Sequence, residues 1–125
     1  MIPSRPAALI VEDQPFIGMV ASDILRESGY ETFHAYDAQK AVELFDEHPE
    51  IEVVVAEAQL PGEVNGLELC RRICEKRPNV QFVVTAAGKE LSPAEVPQGA
   101  RVLHKPYASG ELLTLVAARD LLQDA

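Results

Sequence analysis

Positive charge is scarce in this chain. Eleven Lys and Arg stand against twenty Asp and Glu, a formal net charge of −9, which repels phosphate backbones and anionic lipid surfaces. Direct nucleic-acid binding is therefore not expected. Long hydrophobic runs are missing as well: no stretch approaches the roughly 18 apolar residues a membrane span requires. The opening MIPSRPAALIV has no long apolar segment ahead of a small-residue cleavage site. The expectation is a cytoplasmic protein without membrane contact.

Cysteine is limited to Cys70 and Cys74. They stand four apart in GLELCRRICEKRP, on one side of a helix whose apolar arc includes Leu67, Leu69 and Ile73. No His or Cys cluster completes a ligand set with them, and His34, His48 and His104 are not spaced as ligands. Two small core hydrophobes are a better reading than a redox pair or half of a metal site. Repeats, low-complexity tracts and linkers are also absent from the sequence.

What is present suits one globular domain over residues 1–125, with 47% hydrophobic and 25% charged residues and enough length to bury a core. Short apolar runs alternate with segments of helical period. AALIV (7–11) is all apolar, as expected of a strand covered on both faces. A helix follows, with Pro15 near its start, a predicted core stripe of Ile17, Val20, Ala21, Ile24 and Ser28, and Gly29 to stop it. ETFHA is a weaker strand. Asp37 is the predicted N-cap of a helix carrying Ala38, Ala41, Val42 and Phe45 inward.

Val53 to Ala56 form the third strand, a helix from about Gly66 to Arg77 ends at Pro78, and Val80 to Thr85 form the fourth strand. AAGKELSPAEVPQGA is broken by Pro93 and Pro97, so a shortened or irregular fourth helix is expected there. RVLH is the fifth strand. A last helix is predicted with Ser109 as N-cap and Leu112, Leu115, Val116 and Leu122 inward. The pattern implies an α/β fold with a parallel, doubly wound sheet, whose ligands sit outside the carboxyl ends of the strands.

Those ends carry Glu12 and Asp13, Glu57, Thr85 and Lys105. Acids and threonines end strands routinely as solvated groups or caps; five such residues on one rim are a stronger signal. Clustered carboxylates repel unless one is protonated or a cation lies among them, and hard oxygen donors favour magnesium. Lys105 supplies a fixed positive charge and Thr85 a hydroxyl for an anionic oxygen.

In order along the chain, LIVED, AEAQLPGEVNGLEL, FVVTAAG and VLHKPY resemble the motifs of the response regulator receiver domains of bacterial two-component signalling. The resemblance covers nearly the whole chain. It implies a flavodoxin-like five-stranded sheet of order 2-1-3-4-5, and a stand-alone, non-enzymatic signalling domain that works by protein contact. It further implies Mg2+ held by Glu12, Asp13, Glu57 and the backbone carbonyl of Gln59. Thr85 and Lys105 would be the residues that meet a phosphoryl group, and Lys105-Pro106 is a candidate cis peptide. The implied partners are a histidine kinase, a histidine phosphotransfer protein or another signalling protein, with the domain a monomer or weak homodimer. Phe16 and Met19, beside the predicted core stripe of the first helix, are candidate docking residues; partial burial is the alternative.

Two residues depart from the family's pattern. The phosphoacceptor position, an aspartate in ordinary receivers, is Glu57, and the position of the usual aromatic switch is Val102. Glutamate places its carboxylate one C–C bond further out, about 1.5 Å in an extended side chain, and in-line phosphoryl transfer depends on positioning. Impaired phosphorylation is therefore expected. Two outcomes stay open: a partial mimic of the phosphorylated state, or a simple Glu57–Lys105 ion pair in an inert pocket. Other classes are a metal-dependent phosphohydrolase, which calls for an acid or base where Gln59 stands, and a degenerate structural interaction module.

Overall fold

A computed structural model describes residues 5–87, 91, 94–97 and 99–124, residues 117–124 as backbone alone. Its strands are β1 (Ala7–Val11), β2 (Glu31–Ala35), β3 (Ile51–Glu57), β4 (Gln81–Ala87) and β5 (Arg101–Lys105); its helices are α1 (Pro15–Glu27), α2 (Ala38–Glu47), α3 (Gly66–Lys76) and α4 (Ser109–Asp124). All strand pairs are parallel and the order is β2-β1-β3-β4-β5, the flavodoxin-like arrangement implied by the resemblance. Between β4 and β5 the described residues form turns and no helix, in line with the expected irregular segment. Pro93 and the inward position of Leu122 lie outside the described residues and side chains.

Side chains alternate between the faces of a strand, and here each face has its own core. On one face Leu9, Val11, Val54, Ala56 and Val84 pack against Phe45 of α2 and Leu69, Cys70 and Ile73 of α3. On the other, Ala8, Ile10, Val53, Val55, Val83 and Leu103 pack against Ala21 and Leu25 of α1 and Leu112 and Val116 of α4. Burying each large apolar side chain contributes about 1.5–3 kcal/mol. Asp37 caps α2, accepting from Lys40 N–H at 2.8 Å, and Asn65 caps α3, accepting from Glu68 N–H at 3.0 Å; each satisfies an N–H left open by the first turn.

Two helix expectations need correction. The inward face of α1 is Gly18, Ala21, Ser22 and Leu25; Val20 and Ser28 are exposed, while Ile17 and Ile24 are half-buried. The helix is turned because Gly18 sits on the His34 ring of β2, where a Cβ would lie 2.1 Å from the ring, and the apolar pattern alone carries no sign of that approach. Ser109 is also not the cap of α4 but its first residue; the Ala108 N–H instead meets the Glu111 carboxylate at 3.1 Å, the reaching-back half of a capping box.

Candidate functional site: an acid pocket at the strand ends

The same alternation that builds the α1/α4 core carries on to the rim. Glu57 follows Val53 and Val55, Thr85 follows Val83, and Lys105 follows Leu103, each in step on one face. Glu12, one residue past β1, continues the Ala8 and Ile10 row. Glu57 pairs in register with Thr85, and the Ala58 N–H donates to the Thr85 carbonyl at 2.8 Å. Asp13, on the alternate parity, is exposed.

Glycine shapes the loop beside the pocket. A Cβ on Gly66 would stand 2.0 Å from the Glu57 carbonyl oxygen, so only glycine lets α3 start so close to the end of β3. Gly66 N–H donates to Ala58 O at 3.0 Å, closing the loop through Pro61 and Gly62.

At the centre, the Lys105 ammonium lies 2.5 Å from Glu12 Oε1 and also pairs with Glu57 Oε2. All three side chains are largely buried. The remaining carboxylate oxygens take backbone donors: Glu12 Oε2 from Gln14 N–H at 3.2 Å, Glu57 Oε1 from Gln59 N–H at 3.1 Å. Glu57 Oε2 is fully buried and makes no well-angled hydrogen bond, so its partner is the ammonium as a charge.

Burial raises Glu12, and the hydrogen bond from Lys105 pulls it down without cancelling that effect. For Lys105 the balance is reversed. Burial works against its charge, but the hydrogen bond to Glu12 and the ion pair with Glu57 outweigh it and hold the ammonium above its ordinary value. The two shifts point opposite ways for the stability of the pair, and the deeper burial of Glu12, 5% exposed against 14% for Lys105, accounts for the difference.

The Lys105-Pro106 peptide is cis, as implied by the resemblance. Tyr107, not singled out from the sequence, is half-buried behind the pocket with Ile10, Val55 and Leu103; burial raises its hydroxyl. The sequence signal for it was its place next to Lys105-Pro106. On the outer side, a groove of about 510 Å3 runs between α1 and the chain after β5, lined by Phe16, Val20, Lys105, Pro106 and Tyr107. Phe16 and Met19 are 72% and 53% exposed, so the packed alternative for them is set aside. Val102 is half-buried on β5.

The resemblance implies Mg2+ at this place. In this chain the expected donors do not fit it as arranged: Glu12 and Glu57 are both engaged by Lys105, and Asp13 reaches only Glu12, from an exposed position. Among the described residues no three His, Cys, Asp or Glu side chains are gathered as a metal would need. No described helix is long and apolar enough to cross a membrane.

The sequence signature of the response regulator receiver domain matches residues 8–117, and the chain belongs to that family. It is 31% identical over 114 residues to YrkP of Bacillus subtilis (strain 168), an uncharacterized transcriptional regulatory protein; the match covers 89% of this chain and 48% of YrkP, so the chain spans about half of that relative. Among solved structures, a response regulator receiver domain protein from Clostridium thermocellum superposes with a TM-score of 0.85 at 20% identity, covering 94% of this chain and 96% of that one. The signal receiver domain of an HD domain-containing protein from Pseudomonas fluorescens Pf-5 gives 0.82 at 26%, covering 97% and 98%.

Proposed function

We propose that residues 1–125 act as one receiver module of a two-component pathway in which Glu57 does not accept phosphate but holds Lys105 permanently. The observation behind this reading is the Glu12–Lys105–Glu57 ion triad, with Glu57 at the phosphoacceptor position. A phosphoryl group on an aspartate would be met by Lys105 and Thr85. Glu57 takes up the lysine, whereas among the described residues the Thr85 hydroxyl makes no hydrogen bond to it. The likeness to the phosphorylated state is therefore partial: one of two contacts, and a single carboxylate in place of a dianion.

Output in this reading is by protein contact, with a histidine kinase, a histidine phosphotransfer protein or another signalling protein meeting Phe16 and Met19 beside the groove. The phosphohydrolase reading is weaker because Gln59 offers a backbone N–H to Glu57 where a second acid or base is needed.

Incubation with a small phosphodonor and Mg2+, followed by intact-mass measurement, tests the proposal. Unmodified wild type is expected; a stoichiometric adduct that disappears in Glu57→Ala would overturn it. Glu57→Gln is expected to change partner binding or oligomeric state, and an unchanged result in both would favour the inert pocket over the partial mimic. Phe16→Ser should weaken partner binding while moving stability by no more than about 0.5 kcal/mol, as for other exposed sites.

A further inference from the structure

We propose that Lys105 takes the place of the divalent ion in this pocket, so that the site assembles without magnesium and excludes it. The inference deepens the receiver reading of the same site, and its test needs no phosphodonor, so the two fail separately.

Glu12 and Glu57 bring four carboxylate oxygens to the pocket. Two face the ammonium, Glu12 Oε1 and Glu57 Oε2, and two accept backbone N–H groups, from Gln14 and Gln59. Magnesium demands near-octahedral oxygen ligands at about 2.0–2.1 Å. To reach these oxygens it would stand against the ammonium in a buried space, where like charges repel with little screening. The hydrogen-bond gap at Glu57 Oε2 is not a vacancy for an ion, because Lys105 Nζ already lies against that atom. Asp13, the further carboxylate that touches this cluster, meets Glu12 from an exposed position on the other parity, and among the described residues the three acids are not gathered as a metal would need.

The length of Glu57 closes the triad. An aspartate would end about 1.5 Å shorter, leaving room between the carboxylate and Lys105 for a third charged group. The substitution thus alters the counterion of the site as well as its acceptor.

The test is a titration of the isotopically labelled chain with MgCl2 against KCl at matched ionic strength, followed by amide spectra and thermal melting, with Mn2+ as the paramagnetic probe. In wild type the amides of Glu12, Glu57 and Gln59 are expected to stay unmoved by Mg2+ and unbroadened by Mn2+, with an unchanged Tm. Lys105→Ala leaves two buried carboxylates without a counterion; it is expected to gain saturable shifts at those amides and a Tm that rises with Mg2+. Glu57→Asp should gain the same shifts with the lysine in place, and it decides the matter if Lys105→Ala does not fold. Saturable Mg2+ shifts in wild type would overturn the proposal. So would a wild type that ignores Mg2+ together with folded variants that ignore it equally, since Lys105 would then not be what keeps the ion out.

Discussion

At the amino end of the sheet Arg77, just past α3, turns its guanidinium onto neutral oxygens. It donates to the carbonyls of Pro49 at 3.1 Å and Ile51 at 3.2 Å, reaches those of Phe45 and His48, and lies 3.5 Å over the Phe45 ring. At the carboxyl end Lys105 sits between two carboxylates. Both cations tie together parts of the chain remote in sequence. The arginine closes the last turn of α2, whose carbonyls lack helical partners, onto the start of β3, and its planar fork suits several fixed acceptors at once. The lysine neutralises charge instead, so its end of the molecule responds to anything that alters charge, while the arginine end answers mainly to shape.

The widest separation between the two ends should come from deleting each cation. Lys105→Ala breaks a buried ion triad and is expected to cost about 3–5 kcal/mol at neutral pH, read from urea unfolding with an unchanged slope. Much of that cost should be recoverable by acid. Burial already raises Glu12 in the presence of the lysine; without it the folded state binds a proton at still higher pH than the unfolded chain, so the variant's stability falls as pH rises through that range and returns as pH is lowered. A gap to wild type that stays constant from neutral to mildly acidic pH would count against the charge account of this end.

Arg77→Ala should cost somewhat less, about 3 kcal/mol, from lost hydrogen bonds of a charged donor and the ring contact. Acid should restore little of it, because its hydrogen-bond acceptors do not titrate and the nearby carboxylates of Asp46 and Glu50 act on the guanidinium less than its burial does. The sharper form is Arg77→Lys: a point charge cannot serve four carbonyls, so most of the loss should remain. Full rescue by lysine would remove the distinction between the two ends.

Much of the carboxyl end was legible beforehand. Residues 8, 10 and 12, then 53, 55 and 57, 83 and 85, and 103 and 105 step by two along their own strands, so alternation, with the register that sets Ile10 beside Val55, Val55 beside Val83 and Thr85 beside Leu103, carries Glu12, Glu57, Thr85 and Lys105 onto one face and leaves Asp13 off it. Strand ends counted without their faces place all five at one rim; the face on which each side chain stands is what sets Asp13 apart. Arg77 went unnoticed because a basic residue closing a helix is ordinary, and its acceptors are carbonyls, which every residue has. The face of α1 was misjudged for a related reason: contact between Gly18 and His34 depends on two segments meeting, and periodicity within one helix does not report it.

Cys70 offers the smallest and most discriminating test, since it lies buried on α3, the helix that Arg77 ends. Burial, with Cys74 4 residues away and its sulfur 3.9 Å distant, pushes the Cys70 thiol well above its ordinary value. The folded state therefore keeps a proton that the unfolded chain loses above about pH 8.5, and stability must fall as pH rises past that point, by up to about 1.4 kcal/mol per unit. This gives the arginine end an alkaline response that does not belong to Arg77. Cys70→Ala should be less stable than wild type by about 1 kcal/mol at neutral pH, for one heavy atom removed from a packed core. The gap should narrow from about pH 8.5 upward as wild type alone loses its thiol contribution, while Tyr107, also raised by burial, acts equally in both proteins. Measured in the Cys70→Ala background, the loss caused by Arg77→Ala should then be flat across the alkaline range; a loss that still varied with pH would mean that the arginine end, too, works through charge.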